Sequence, residues 1–136
     1  MPTLLDTSVA VALREGEREM LDKAASLRDV ASLSILSVVE LEGGVPFASE
    51  GAAVRRNLLD EMYRSLDILP FDTAEATAYR QIIEARGFAR RLIVDRMIAA
   101  TALANNLTLA TLNPRDFRDV PGLQVDDWTI ARERLI

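Results

Sequence analysis

Short apolar runs alternate with stretches of helical periodicity along the chain. Thr3-Leu4-Leu5 stops at Asp6, and residues 7–14 then carry Val9, Ala10 and Leu13 at helical spacing. A helix is expected over 17–27, a short strand over 30–35, and a further helix opening at Ser37-Val38-Val39-Glu40-Leu41, whose end Gly43-Gly44 and Pro46 weaken. Helical spacing returns over 49–66 at Ala52, Leu58, Leu59 and Met62, and Ile68-Leu69 marks a third strand within 67–70. From Asp72 a helix runs through Ala76, Tyr79, Ile82 and Ile83 to Arg86, where Gly87 suits the left-handed position that closes a helix. An apolar helix over 93–105 follows, then β-compatible Thr108-Leu109-Ala110-Thr111 ending at the turn Asn113-Pro114, and an edge-like strand at Leu123-Gln124-Val125. Strands separated by helices require crossovers. The pattern predicts an α/β fold: a three-layer sandwich with a four- to five-stranded, mostly parallel sheet flanked by helices.

At 136 residues, with no internal repeat and no Pro/Gly/Ser-rich linker, the expectation is one domain over 1–136 that buries roughly two-thirds of its unfolded surface. Composition matters mainly for what it removes. There is no Cys and no His, which excludes disulfides, Cys-ligated zinc, thiol nucleophiles and the commonest general base. Chemistry must rest on carboxylates, hydroxyls, Arg or Lys23, the only lysine. Asp6 interrupts the apolar start before a signal-peptide core forms, and no apolar stretch of about 18 residues is present. The expected location is cytoplasmic, away from membranes. A net charge of −5 argues against a purely electrostatic nucleic-acid binder. Arg80, Arg86, Arg90, Arg91 and Arg96 nevertheless fall close together, either as a phosphate-binding patch or as a solvated face paired with Glu84 and other acids. The few aromatic residues are scattered, leaving no base-stacking platform.

In a parallel sheet the strand C-termini and helix N-termini share one edge, where ligands bind. Asp6 ends the first strand; Glu40 and Asp95 are expected in the first turns of their helices; Asp116 follows the strand ending at Thr111, with Asn113 between. Each has an ordinary explanation. Asp6 could cap a helix, Ser37-Val38-Val39-Glu40 matches a capping box, Asp95 would favour a helix dipole or pair with Arg96, and Asp116 could be a solvated turn residue. Their common edge is the less ordinary feature. Two carboxylates about 4 Å apart repel by roughly 4 kcal/mol at an effective dielectric of about 20, so such a cluster calls for a cation. With no imidazole or thiolate available, an all-oxygen site suits Mg²⁺ or Mn²⁺ and phosphodiester chemistry.

These residues resemble the PIN-domain ribonucleases, and among them the VapC-type toxins of toxin–antitoxin pairs. The likeness is carried by Leu4-Leu5-Asp6-Thr7-Ser8, by Ser37-Val38-Val39-Glu40-Leu41 with Gly43 or Gly44, and by Leu69-Pro70-Phe71-Asp72 before a helix with Ala74, Ala78 and Tyr79. Its most specific stretches are Asp95-Arg96-Met97-Ile98-Ala99-Ala100-Thr101-Ala102 and Leu109-Ala110-Thr111-Leu112-Asn113-Pro114-Arg115-Asp116-Phe117. The resemblance implies a Mg²⁺- or Mn²⁺-dependent endoribonuclease, an RNA substrate, a small cognate antitoxin and a homodimer. It also implies that Asp6, Glu40 and Asp95 hold metal. Asp116 is the candidate fourth acid, with Asn113 as the alternative; Thr7, Thr111 and Asn113 are candidate supporting hydrogen-bonding groups. Ser8 resembles the small polar residue that commonly follows the Asp-Thr pair. Arg96 departs from the pattern by placing a cation beside the third acid, and is expected to face outward toward RNA or antitoxin.

Three other readings make distinguishable claims. A phosphoacceptor receiver domain needs an acceptor Asp at the end of the third strand and a Lys near the fifth, whereas Asp72 opens a helix after Pro70-Phe71 and Lys23 lies far upstream. A haloacid-dehalogenase-like phosphatase needs a second Asp two positions after the first, where Ser8 stands. An inactive module of the same fold would act only through its apolar surfaces. No residue can be identified as reading a 2′-OH, so RNA is implied by the resemblance alone.

Overall fold

The computed structural model describes residues 2–45 and 50–133, with side chains up to residue 131. Pro46, Phe47 and Ser49 lie outside the described residues. The elements alternate as strand β1 (Thr3–Leu5), helices α1 (Thr7–Arg14) and α2 (Arg18–Ala25), strand β2 (Ser32–Ser34), helices α3 (Ile35–Gly43) and α4 (Ala52–Ser65), strand β3 (Asp67–Leu69), helices α5 (Thr73–Arg86) and α6 (Ile93–Ala104), strand β4 (Thr108–Thr111), strand β5 (Val125–Asp127) and helix α7 (Thr129–Glu133). All five strands pair in parallel, in the order β3-β2-β1-β4-β5. The order reverses between β1 and β4, the crevice where doubly wound sheets bind ligands. It also differs from the 2-1-3-4-5 order of flavodoxin-like folds, to which receiver domains belong.

Alternation within each strand sorts the core into two layers. Leu4 and Leu109 point to one face, with Ala78, Ile82, Ile98, Ala99 and Phe117. Leu5, Leu33 and Ala110 point to the other, with Val9, Met20, Leu41, Leu59 and Trp128. Helices α5 and α6 cover the first face and the remaining helices the second, which is why the central strands are buried on both sides. Among the described residues no helix is long and apolar enough to cross a membrane.

Local signals place most boundaries. The Glu75 carboxylate reaches back to the Asp72 amide at 2.8 Å, opening α5. Its other end is closed by Gly87, whose φ of +80° is rarely accessible to L side chains and whose amide donates to the Ile83 carbonyl at 2.7 Å. Two expectations need correction. Helix α3 starts at Ile35 rather than Ser37, because Ser34 is the cap and its hydroxyl accepts from the Leu36 amide at 3.0 Å. The edge strand lies at Val125–Asp127 rather than at 123–125, because pairing with Leu109–Thr111 sets its register.

Candidate active site

Asp6 closes β1, and its amide extends the ladder to the Ala110 carbonyl at 2.9 Å. It is 4% exposed. By position it is the cap of α1, yet its side chain accepts no amide from that helix. Oδ2 instead accepts from Ser8 Oγ at 2.8 Å and from Thr111 Oγ1 at 2.7 Å. Ser8 and Thr111 in turn accept the Leu112 and Asn113 amides, at 3.1 and 2.9 Å. A hydroxyl that takes an amide proton is left to donate its own, so the end of β4 orients the carboxylate through two hydroxyls. The capping explanation for Asp6 fails.

A second relay forms between the helices α1 and α3. Thr7 Oγ1 donates to Glu40 Oε1 at 2.7 Å and lies 2.7 Å from Ser37 Oγ. With its single proton committed to Glu40, Thr7 accepts from Ser37. Because α3 begins earlier than expected, Glu40 sits in its second turn, beyond reach of the cap residue, and the capping-box explanation is lost as well. Ser37, read from the sequence as a cap, is fully buried and supports this relay. The signal that could have revealed it was Ser34, which offers a competing cap three residues earlier.

Asp95 lies half-buried in the first turn of α6. Burial and the negative charges of Asp6, Asp116 and Glu40, in that order, push its carboxyl up to about 6. Three acids from three other segments are thus brought within electrostatic reach of Asp95. Asp116 is exposed in the turn Pro114–Asp116, and it is the acid of this last segment whose charge acts on Asp95. Asn113 contributes its amide, to Thr111. Among the described residues, no three acids are already drawn together closely enough to clasp an ion.

Arg96 does not face outward as expected. Its side chain is 7% exposed, with Nη1 donating to the Gly87 carbonyl at 2.7 Å and Nη2 lying 3.4 Å from Asp119 Oδ2. It neither meets solvent nor pairs with Asp95. The wider basic patch also breaks up, since Arg80 pairs with Glu84 and Arg86 donates to the Asp119 carbonyl, leaving Arg90 and Arg91 exposed beside them.

Residues 3–123 match the family model for the PIN domain. The chain belongs to the PIN domain family. Over 130 residues it is 33% identical to a ribonuclease VapC from Rickettsia bellii, with 92% of this chain and 95% of that protein covered. It is 29% identical to a tRNA(fMet)-specific endonuclease VapC from Shigella flexneri, covering 93% of this chain and 97% of that protein. Among solved structures, FitAcB from Neisseria gonorrhoeae superposes with a TM-score of 0.76 at 28% identity, over 93% of this chain and 98% of the other. VapBC2 from Rickettsia felis, bound to a DNA fragment from its promoter, shares the fold with a TM-score of 0.81 at 24% identity, over 94% of this chain and 99% of the other.

Proposed function

We propose that this chain is an endoribonuclease that hydrolyses RNA phosphodiester bonds with Mg²⁺ or Mn²⁺, and that it is the toxin of a type II toxin–antitoxin pair held in check by a small cognate antitoxin. One observation carries the chemistry: Asp95 is half-buried beside the like charges of Asp6, Glu40 and Asp116, with no side-chain cation among the described residues counted with them as a cause of its shift. A site of this kind is stable when a divalent ion is shared among the acids. The donor set fits, being all oxygen and offered by four carboxylates in a chain without His or Cys. Asp6, Glu40, Asp95 and Asp116 would hold the ion.

Such an ion supplies charge neutralisation at the scissile phosphate and lowers the pKa of an attacking water. The chain's own residues prepare the place. Ser8 and Thr111 fix the Asp6 carboxylate by Oδ2. Oδ1 accepts no hydrogen bond among the described residues, and no buried side-chain oxygen is without a partner, so Oδ1 keeps access to solvent. Ser37 and Thr7 hold Glu40 by Oε1. With Glu40 and Asp116 exposed and Asp6 and Asp95 set deeper, the site is open enough for a polynucleotide.

RNA as substrate is supported by the relatives named ribonuclease and tRNA(fMet)-specific endonuclease. An antitoxin partner is supported by the toxin–antitoxin complexes that share the fold. A homodimer, one domain over 1–136 and cytoplasmic residence belong to the same proposal. Brief induction of the parent and of Asp6→Asn, followed by transcriptome-wide mapping of RNA ends, tests it. New ends confined to the parent are expected; identical profiles would defeat the nuclease reading and leave the inactive module.

A further inference from the structure

We infer that Arg96, together with Arg86, is a positioning residue that locks the segment carrying Asp116 against the start of α6, which carries Asp95. This rests on the nuclease reading above and adds a device that sets the spacing of two of its acids.

Three segments meet at the Arg96 guanidinium: its own helix start, the end of α5 through the Gly87 carbonyl, and the loop after the Pro114–Asp116 turn through Asp119. Arg86 holds the same loop from the other side, its Nε donating to the Asp119 carbonyl at 2.6 Å. Asp119 is therefore gripped at both side chain and backbone, three residues from Asp116. Phe117 and Val120 are buried in the same core layer as Ile98 and Ala99. That packing fixes the depth of the loop, but apolar contacts are non-directional and leave its rotation free. The guanidinium supplies direction, because its planar fork sends one amino group to each partner, as an ammonium cannot. Retaining a nearly buried cation is expensive where a Met or Leu would pack as well. The expense is intelligible if the bonds determine where Asp116 stands.

At the other end, the Asn113 amide bonded to Thr111 Oγ1 ties the same segment to the oxygen that holds Asp6. The segment 113–119 is thus pinned at both ends, once to the Asp6 side of the rim and once to the Asp95 side.

The test is titration of the metal-free protein with Mn²⁺ alone, reading free Mn²⁺ by electron paramagnetic resonance well below each variant's melting temperature. Arg96→Lys keeps the charge and loses the fork; Asp119→Ala removes the side-chain acceptor at an exposed position and serves as the second variant should Arg96→Lys fail to fold. Both should weaken Mn²⁺ affinity by about tenfold or more, the size expected when the support behind a metal ligand is lost. The double variant should be no weaker than the worse single one. Affinity within about twofold of the parent in folded Asp119→Ala, even with a lowered melting temperature, would overturn the inference by making the clamp merely structural. A parent without Mn²⁺ affinity that Asp6→Asn abolishes would instead overturn the nuclease site, and the clamp's purpose with it.

Discussion

Glu40 and Glu42 stand two residues apart on α3, and their surroundings are opposite. Glu42 is gripped by Arg56 through both carboxylate oxygens, at 2.6 and 2.7 Å, and by the Tyr63 hydroxyl at 2.8 Å. The hydrogen bond from Arg56, above all, holds its carboxyl below the usual range despite some burial. Glu40 has one hydroxyl, that of Thr7, and faces other acids. The first arrangement joins α4 to α3 and is complete as it stands. The second is incomplete in charge, and its like charges raise a neighbour's pKa rather than lowering it. Of these two acids on one helix, Glu40 is singled out as the candidate by having no cationic partner among the described residues, and burial does not separate them as well.

Breaking the pair apart gives the largest expected effect. Glu40→Gln should reduce RNA cleavage by at least about tenfold while leaving the melting temperature near that of the parent. Glu42→Gln should do the reverse, lowering the melting temperature through the lost bidentate contact and leaving cleavage within about twofold. Equal effects on cleavage would erase the distinction. Next in size, Thr111→Val keeps shape but strips the bond to Asp6 and strands the Asn113 amide. It should cost about 1–3 kcal/mol of stability and about tenfold in cleavage, read by chemical denaturation and by gel assay.

The smallest effect is the pH dependence of stability. With its folded carboxyl at about 6 and an unfolded value of about 4, Asp95 holds a proton in the native state that the unfolded chain has released. Its contribution therefore falls as pH rises through that window and is least favourable above it. Asp95→Asn should raise the melting temperature of metal-free protein at pH 7 and leave it unchanged near pH 4. A lower melting temperature at pH 7 would show that Asp95 is held by a favourable partner.

The parallel sheet and three of its strand ends were legible because each apolar run stops at a polar residue with a helical pattern behind it: Leu5 at Asp6, Leu69 before Pro70, Thr111 before Asn113-Pro114. This rule alone puts Asp6 at the end of β1; Asp95 was read instead from the start of its helix, where α6 carries it in the first turn. Where two local signals competed, the pattern misled. Ser34 and Ser37 are both good caps, and only the ladder from β2 to β1 and β3 decides between them. The edge strand borrows its register from β4, so Leu123 and Gln124 carried too little information to fix it. Arg96 was misplaced for a different reason. Its outward placement rested on the turn of about 100° that separates it from Asp95 on the helix, whereas its partners Gly87 and Asp119 lie 9 and 23 residues away and are brought in only by the fold.

The proposed chemistry requires Asp6, at the end of β1, and Asp95, in the first turn of α6, to share one ion. Diffraction from a crystal soaked in Mn²⁺, collected at a wavelength where manganese scatters anomalously, reads this directly. The expected result is an anomalous peak in bonding contact with carboxylate oxygens of Asp6 and Asp95, absent from crystals of Asp6→Asn. Full soaking with no peak there, or with manganese only at another acidic pair such as Asp126 and Asp127, would contradict it.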